Sequence, residues 1–583
     1  MDKETLSRLL DTAMGRIPAD VVIKNGKVID VYQHQIVECD VAISGEYIAG
    51  LGSYSGKTEI DAAGAYIAPG FIDGHIHIES SHLSPEEFGR ISVPCGTTTV
   101  IADPHEIANV CGLEGISYMQ EAASYTALDV KFMIPSCVPS TTFENAGAAL
   151  DAQAMEAPLQ GENVLGLGEF MNYPGVVGKS EDSLDKLLLA HRTGKMIDGH
   201  GPGLADHSLN AYVAAGIHTD HECTDVEGMQ ACLSRGMYVL MREGSCCHDL
   251  RTLLKGVTPF NSRYCLLCSD DRQPKTISEK GHIDGHLRIC VEEGIDPITA
   301  IQMGSLNAAQ CYRLYDRGGI APGLRADLVL FDDLQEFGVK KVWIKGKLVA
   351  EDGVYLLPVS HPDCSKVRSS FHVKNFSADR LRMPLASDLV HVIGIQSGIV
   401  TKKEKVRVKQ NEEGEFCYDA SLNVAKAAVI ERHKGTGNVA LGLLKGYGIQ
   451  KGAIAVSIAH DSHNIIAVGT NDRDMECAVN ELIRQEGGIV LALDGEILTA
   501  LPMPIAGIMS DCDGRYVEEQ LSVIHEKAHE VLGISRNVDP VMTLCFMALP
   551  VIPEIKLTDM GLFDVEKFSF IPLEAQEDEE QIQ

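Results

Sequence analysis

The sequence predicts an α/β fold class: a (β/α)8 TIM-like barrel, a small β-domain built from both flanks of it, and a C-terminal α+β domain. Three observations predict it. Eight apolar, β-type runs recur between residues 69 and 315, each ending in polar or acidic residues and separated by helical stretches. Eight strand–helix units in about 250 residues is the arithmetic of such a barrel, and uninterrupted apolar runs suit parallel strands covered on both faces. Short β-branched runs flank that middle on both sides, and the pattern changes again after about residue 377.

In chain order, residues 1–68 carry VVIKNGKVIDV, IVECDVAISGEYIAGLG and AYIAPG, in which Asn25-Gly26 is a hairpin signal. Residues 69–315 carry the eight runs: GFIDGHIHIE, TTTVIADPHE, KFMIPSCVP, NVLGLGEF, GKMIDGHG, GIHTDHE, YVLMREGS and YCLLCSDD. Residues 316–376 return to strand patterns in ADLVLFDD and KKVWIKGKLVAEDG, so the β-domain takes both flanks. Residues 377–583 mix strands such as GAIAVSIA and GIVLAL with helical stretches such as AVNELIRQ, and EAQEDEEQIQ reads as a solvated acidic tail.

Composition narrows the function. Fifty Lys and Arg against 82 Asp and Glu give a net charge of −32, a field that repels nucleic-acid phosphates and anionic membrane surfaces but tolerates a neutral small molecule or a divalent cation. The 17 cysteines follow no framework spacing, no run reaches the ~18 apolar residues that span a bilayer, and Met1 to Ala19 lacks a secretion-signal core. Together these predict reduced thiols and a cytoplasmic protein.

The chemistry sits at the strand ends. His75 and His77 are two apart in one strand and project the same way. Glu169, His200, His221 and an aspartate of the pair Asp270-Asp271 close four further runs. In a barrel these ends converge on one mouth. Six nitrogen and oxygen donors exceed what one zinc takes and suit two divalent ions bridged by a carboxylate, with Zn, Mn, Fe or Co favoured where no thiolate is present. Glu169 is the expected bridge. Alternation allows only one of Asp270 and Asp271 to serve.

Other residues carry two readings each. Glu243 is a candidate acid for the substrate or an ion-pair partner of Arg242, itself a candidate substrate contact. His105 and Glu106, after Asp103-Pro104 at the second strand's end, are expected to support the metals or touch substrate, Glu106 with a catalytic part. Ser80 and Ser81 could bond the substrate's edge or cap the helix that follows. Cys265 and Cys268 have metal spacing but lie inside an apolar run and read as core; Gly435-Thr436-Gly437 reads as a turn.

The stretches IAPGFIDGHIHIES and NAAQCYRLYDRGGIAPGLRADLVLFD resemble the first-strand motif and the barrel exit of the amidohydrolase superfamily. GTTTVIADPHEIANVCG, LGLGEFMNYPGV, DGHGPGL, HTDHE, MREGS, SDDRQP, AHDSHNIIAVGTN and LPMPIAGIMSD extend the resemblance, within it, to the bacterial-type adenine deaminases. The resemblance implies hydrolysis of adenine to hypoxanthine and ammonia by metal-activated water, with two divalent ions, Mn or Fe before Zn. It implies His75, His77, Glu169, His200, His221 and Asp270 as ligands, Asp270 also as the proton carrier, and a homodimer. The alternative is an amidohydrolase acting on another aminopurine or a cyclic amide; cyclic-amide relatives often place a carboxylated lysine at the fourth strand, where this chain has Glu169. His460–Asn464 has three readings, a loop that closes over the substrate with His463, a separate metal site or a surface loop, and the resemblance favours closure.

Overall fold

The structure is a computed structural model describing residues 1–398 and 400–577; the end of the acidic tail, 578–583, lies outside the described residues. The chain divides into two compact units. The first holds Met1–Pro104, Met119–Ser136 and Asp151–Pro362; the second holds His105–Tyr118, Cys137–Leu150 and the chain from Asp363 onward.

The first unit contains the barrel. Its strands are β1 (Phe71–Ile76), β2 (Thr97–Ala102), β3 (Asp129–Ile134), β4 (Val164–Phe170), β5 (Met196–Gly199), β6 (Thr219–Asp220), β7 (Tyr238–Arg242) and β8 (Cys265–Cys268). β1–β5 pair in parallel as one run and β6–β8 as another. Two seams close the circle. His218 N–H donates to Ile197 O at 3.0 Å between β5 and β6, and Asp270 N–H to His75 O at 3.0 Å just beyond β8. Ile72, Ile101, Met133, Met196, Leu240 and Leu266 fill the interior, the packed core that such a barrel needs.

A nine-stranded sheet completes this unit. Tyr66–Pro69 pairs antiparallel with Leu328–Phe331, Ile67 opposite Leu330, joining the strands before the barrel to those after it. Ile23, Val28, Val41, Ile67, Leu328 and Trp343 are its core. Asn25-Gly26 does not make a hairpin. Ala19–Asp30 is one strand, and the pair sits at a register shift against Gln35–Ser44, with Asn25 at φ 56°. The same left-handed preference that favours a tight turn here serves a bulge. A Cβ on Gly26 would lie 2.3 Å from Ile67 Cδ1, so the bulge also lets the strand pass over its neighbour.

The second unit is built on an eight-stranded, mostly antiparallel sheet. Helix Asp472–Arg484, its N-cap Asn471 accepting from Asp474 N–H at 2.9 Å, lays Met475, Ala478, Val479 and Leu482 against Ala428, Ala453 and Ala467. Phe371, Val373 and Phe376, which the sequence places in the small β-domain, pack on this core instead. The reason is apolar burial; nothing in the local pattern of 363–376 marks a strand. Among the described residues no helix is long and apolar enough to cross a membrane.

Candidate metal centre

The ends of β1, β4, β5, β6 and β8 bring the expected donors together. His77 Nδ1 bonds the backbone oxygen of Asp103 at 2.9 Å, which turns Nε2 inward, 3.3 Å from Glu169 Oε1 and 3.1 Å from Asp270 Oδ1. Glu169 Oε2 lies 2.6 Å from His200 Nδ1 and 3.2 Å from His221 Nε2. Glu169 thus stands between the β1 histidines and the β5–β6 pair, where a bridging carboxylate belongs. Its own backbone is fixed twice: its N–H donates to Asp103 Oδ2 at 2.8 Å and its carbonyl accepts from Ser136 Oγ at 2.5 Å. Gly168 makes this possible, because a Cβ there would fall 2.0 Å from Asp103 Oδ2.

Asp270, not Asp271, is the inward aspartate. It follows β8 at φ 60°, a conformation that Asp tolerates better than most residues, and its carbonyl accepts from His77 N–H at 2.9 Å. Its Oδ1 lies 3.5 Å from His75 Nε2, and its Oδ2 accepts from Arg242 at 2.9 Å. Asp271 instead accepts a short hydrogen bond from Ser80. Below the mouth, Asp73 accepts from Ser269 N–H at 3.0 Å and pairs with His282 at 3.1 Å, tying β1 to β8.

The electrostatics are those of a cation site. Burial opposes charge on His77, yet hydrogen bonds with Asp270 and Glu169 raise it well above the ordinary histidine value. Burial likewise opposes His221, but its bond to Glu169 lifts it to about 9. Burial dominates at His75 and lowers it to about 4. His75 Nε2 is buried with no hydrogen-bond partner among the described residues. A neutral imidazole lone pair facing two carboxylates and three more imidazoles, with no thiolate in the set, fits divalent Mn, Fe or Zn. His75, His77 and Asp270, and His75, Glu169 and His221, each place three donor atoms within 4.8 Å of one another.

Several expectations change in detail. Arg242 is not free to touch substrate: it is buried, pairs with Glu222, and meets Asp249 at 3.0 Å and Asp270 at 2.9 Å. It balances the carboxylates. Glu243 does not pair with Arg242; it meets His248 Nδ1 at 2.8 Å, and against the opposing effect of burial that bond holds its carboxyl below the ordinary value. Ser81 is fully buried, its Oγ donating to Ile78 O at 2.6 Å, so its hydroxyl serves its own turn rather than a substrate or the next helix. Helix Pro85–Ser92 begins after Ser84 without a side-chain cap.

His105, Glu106 and His463 belong to the second unit. There Glu106 pairs with His460 Nδ1 at 2.8 Å, His105 Nε2 lies 3.7 Å from Asp461, and His463 is fully buried and pushed by burial down to about 3. Cys265 and Cys268 are buried in β8. Gly435-Thr436-Gly437 is a loop around Glu431, whose carboxylate accepts from Thr436 N–H at 2.8 Å.

Glu222 is the residue that sequence reading misses. It lies 3.6 Å from His221 Nε2 and 3.9 Å from His200 Nδ1, and it converges with them as a possible ligand group. Strand alternation would turn it away from its neighbour His221, but β6 ends at Asp220, so alternation no longer applies.

Residues 66–349 match the amidohydrolase family and residues 398–569 match the adenine deaminase C-terminal domain. "Adenine deaminase 2" of Desulfotalea psychrophila is 60% identical over 99% of this chain and 100% of its own length. "Adenine deaminase" of Ligilactobacillus salivarius is 50% identical over 98% of this chain and 99% of its own, and that of Nitratidesulfovibrio vulgaris strain DP4 is 49% identical over 97% and 98%. With a barrel mouth lined by this donor set and likeness of that extent, the chain belongs to the adenine deaminase family of the amidohydrolases.

Proposed function

We propose that this chain hydrolyses adenine to hypoxanthine and ammonia, and that His75, His77, Glu169, His200, His221 and Asp270 hold two divalent cations, Mn or Fe, for that reaction. One observation carries the hydrolytic reading: donors from five strand ends converge around the Glu169 carboxylate. The adenine reading rests on the names of relatives alike over nearly the whole chain.

Bound there, the cations supply Lewis acidity that brings a water's pKa from 15.7 to about 7. The chain's own residues do the rest. Asp270, kept ionised by its histidine partners and by Arg242 against the cost of burial, takes a proton from the attacking water and passes it on toward the leaving group. The water oxygen bonds C6 as its first proton passes to Asp270 and the adjacent ring nitrogen gains a proton; the amino group then takes the Asp270 proton and leaves as ammonia as the C6–N bond breaks, and the remaining hydroxyl proton returns to the group that protonated the ring, leaving the C6 carbonyl. The ring proton needs a second titratable group, and the Glu243–His248 pair just beyond β7 supplies one. Ser80 orders Asp271 beside Asp270.

The test is adenine turnover by protein loaded anaerobically with Mn or Fe, read as hypoxanthine and ammonia, with metal content measured on the same sample. Two cations per chain and unchanged adenine would refute the substrate. Turnover of another aminopurine or a cyclic amide instead would establish the alternative.

A further inference from the structure

A second group of donors gathers around Asp220, the last residue of β6. Asp220 Oδ1 accepts from Gly201 N–H at 2.9 Å, which turns Oδ2 toward two sulfurs. Cys223 Sγ lies 3.4 Å and Cys232 Sγ 3.9 Å from Oδ2, and the sulfurs are 3.8 Å apart. Cys223 comes from the loop after β6 and Cys232 from helix Val226–Leu233, whose N-cap Asp225 accepts from Gly228 N–H at 2.8 Å. All three residues are buried, at 3%, 6% and 4% exposure.

These separations have a chemical meaning. Tetrahedral zinc with Zn–S of about 2.3 Å and Zn–O of about 2.0 Å places sulfurs ~3.8 Å apart and sulfur and oxygen ~3.5 Å apart. A disulfide needs sulfurs at ~2.05 Å. We propose that Asp220 Oδ2, Cys223 Sγ and Cys232 Sγ form a site for a soft divalent cation of the zinc class, separate from the imidazole–carboxylate centre. Thiolates select such a cation where nitrogen and oxygen donors admit Mn and Fe. Uptake releases one proton from each thiol to solvent, and a fourth position is left for water. The cation ties the loop Glu222–Asp225 and the following helix to the end of β6, and so fixes the backbone beside His221.

The experiment exploits the sulfur. Among the described residues, the other convergent donor groups contain no cysteine. The full-length protein, reduced and stripped of metal, is titrated with Co2+ under anaerobic conditions. A sulfur-to-cobalt charge-transfer band in the near ultraviolet, whose plateau corresponds to one thiolate-bound Co2+ per chain once every site is filled, is expected for the natural protein and for Cys417→Ser, which alters an exposed thiol. The band is expected to vanish in Cys223→Ser and Cys232→Ser. Absence of the band from the folded natural protein overturns the proposal without any variant. So does a band that survives both substitutions, or recovery of Cys223 and Cys232 as a disulfide from protein purified under reduction.

Discussion

Asp270→Asn is the sharpest perturbation of the centre, because it changes charge and leaves nearly everything else. Asn has the same shape and tolerates the φ of 60° that the position requires. The carboxylate it replaces faces Arg242 at 2.9 Å, an attraction of roughly 6 kcal/mol at an effective dielectric of 20 before desolvation is counted. Arg242 keeps Glu222 and Asp249, so the guanidinium is not stranded. Stability should fall by about 1–2 kcal/mol, less than the ~3–5 kcal/mol of a buried charge left alone. The loss of the proton carrier should cost about 10²–10⁴-fold in kcat. At 1.36 kcal/mol per decade that is roughly 3–5 kcal/mol of barrier. Asp271→Asn, which removes only the partner of Ser80, should stay within about threefold of the natural rate, or ~0.6 kcal/mol. The assay is adenine turnover at saturating metal, with metal content and melting temperature recorded on the same samples. If Asp270→Asn keeps more than about a tenth of the rate, or Asp271→Asn falls as far, the assignment of the proton carrier is wrong.

Three further outcomes follow from other parts of the molecule. His77→Ala should abolish turnover and leave far-ultraviolet circular dichroism and cooperative melting in place, since the mouth is not the layered core; global unfolding would mark the centre as structural. Asp129, at the base of the barrel, is held well below the ordinary carboxyl value because Arg317 at 2.5 Å, Arg325 and Lys131 outweigh its burial. Its contribution is present above the unfolded value of about 3.9 and is lost as pH falls through the lower folded value; Arg317 keeps Asp316 and Arg325 keeps Asp327, so Asp129→Asn should cost about 1–2 kcal/mol at pH 7 and the gap should shrink below about pH 4, and denaturant midpoints that stay equally far apart at both pH values would contradict this. In the second unit, Glu106→Gln removes the carboxylate that His460 Nδ1 meets at 2.8 Å and should lower the unfolding free energy by about 1–2 kcal/mol, read from the denaturant midpoint; an unchanged midpoint would show the pair to be dispensable for stability.

The barrel and its mouth were readable because each proposed ligand closes an apolar run, while period-two geometry gave a direction only to the His75/His77 pair. The structure brings the side chains of His75, His77, Glu169, His200, His221 and Asp270 together at that mouth. What escaped reading depends on chain ends and distant partners. Glu222 was hidden because β6 is only two residues long and alternation stops at Asp220. The partners of Arg242 lie seven, twenty and twenty-eight residues away, so no local pattern reports that the guanidinium is fully engaged. Asn25-Gly26 shows a different failure: a left-handed pair serves a hairpin or a bulge, and only the register against Gln35–Ser44 decides which. The second unit was legible as α+β but not in its sheet order, where Ile393 pairs in parallel with Leu444 across fifty residues of chain.

The charges at the mouth explain why this arrangement exists. Glu169 and Asp270, both buried, and the partly buried Glu222 bring three carboxylates together with one guanidinium to answer them. Such a set cannot stay ionised without further positive charge. In the metal-free protein, protons supply it: His77 and His221 are both raised by their carboxylate partners, and Glu169 lies between them. His75 cannot help, because burial keeps it neutral. The divalent cations proposed above would meet the same need, with His77 and His221 giving up those protons and His75 offering the lone pair that burial already keeps free. Its carboxylates already sit within 2.6–3.3 Å of His77, His200 and His221, so the donors are gathered before any cation arrives, and the neutral imidazole of His75 is the one member that favours a metal over a proton.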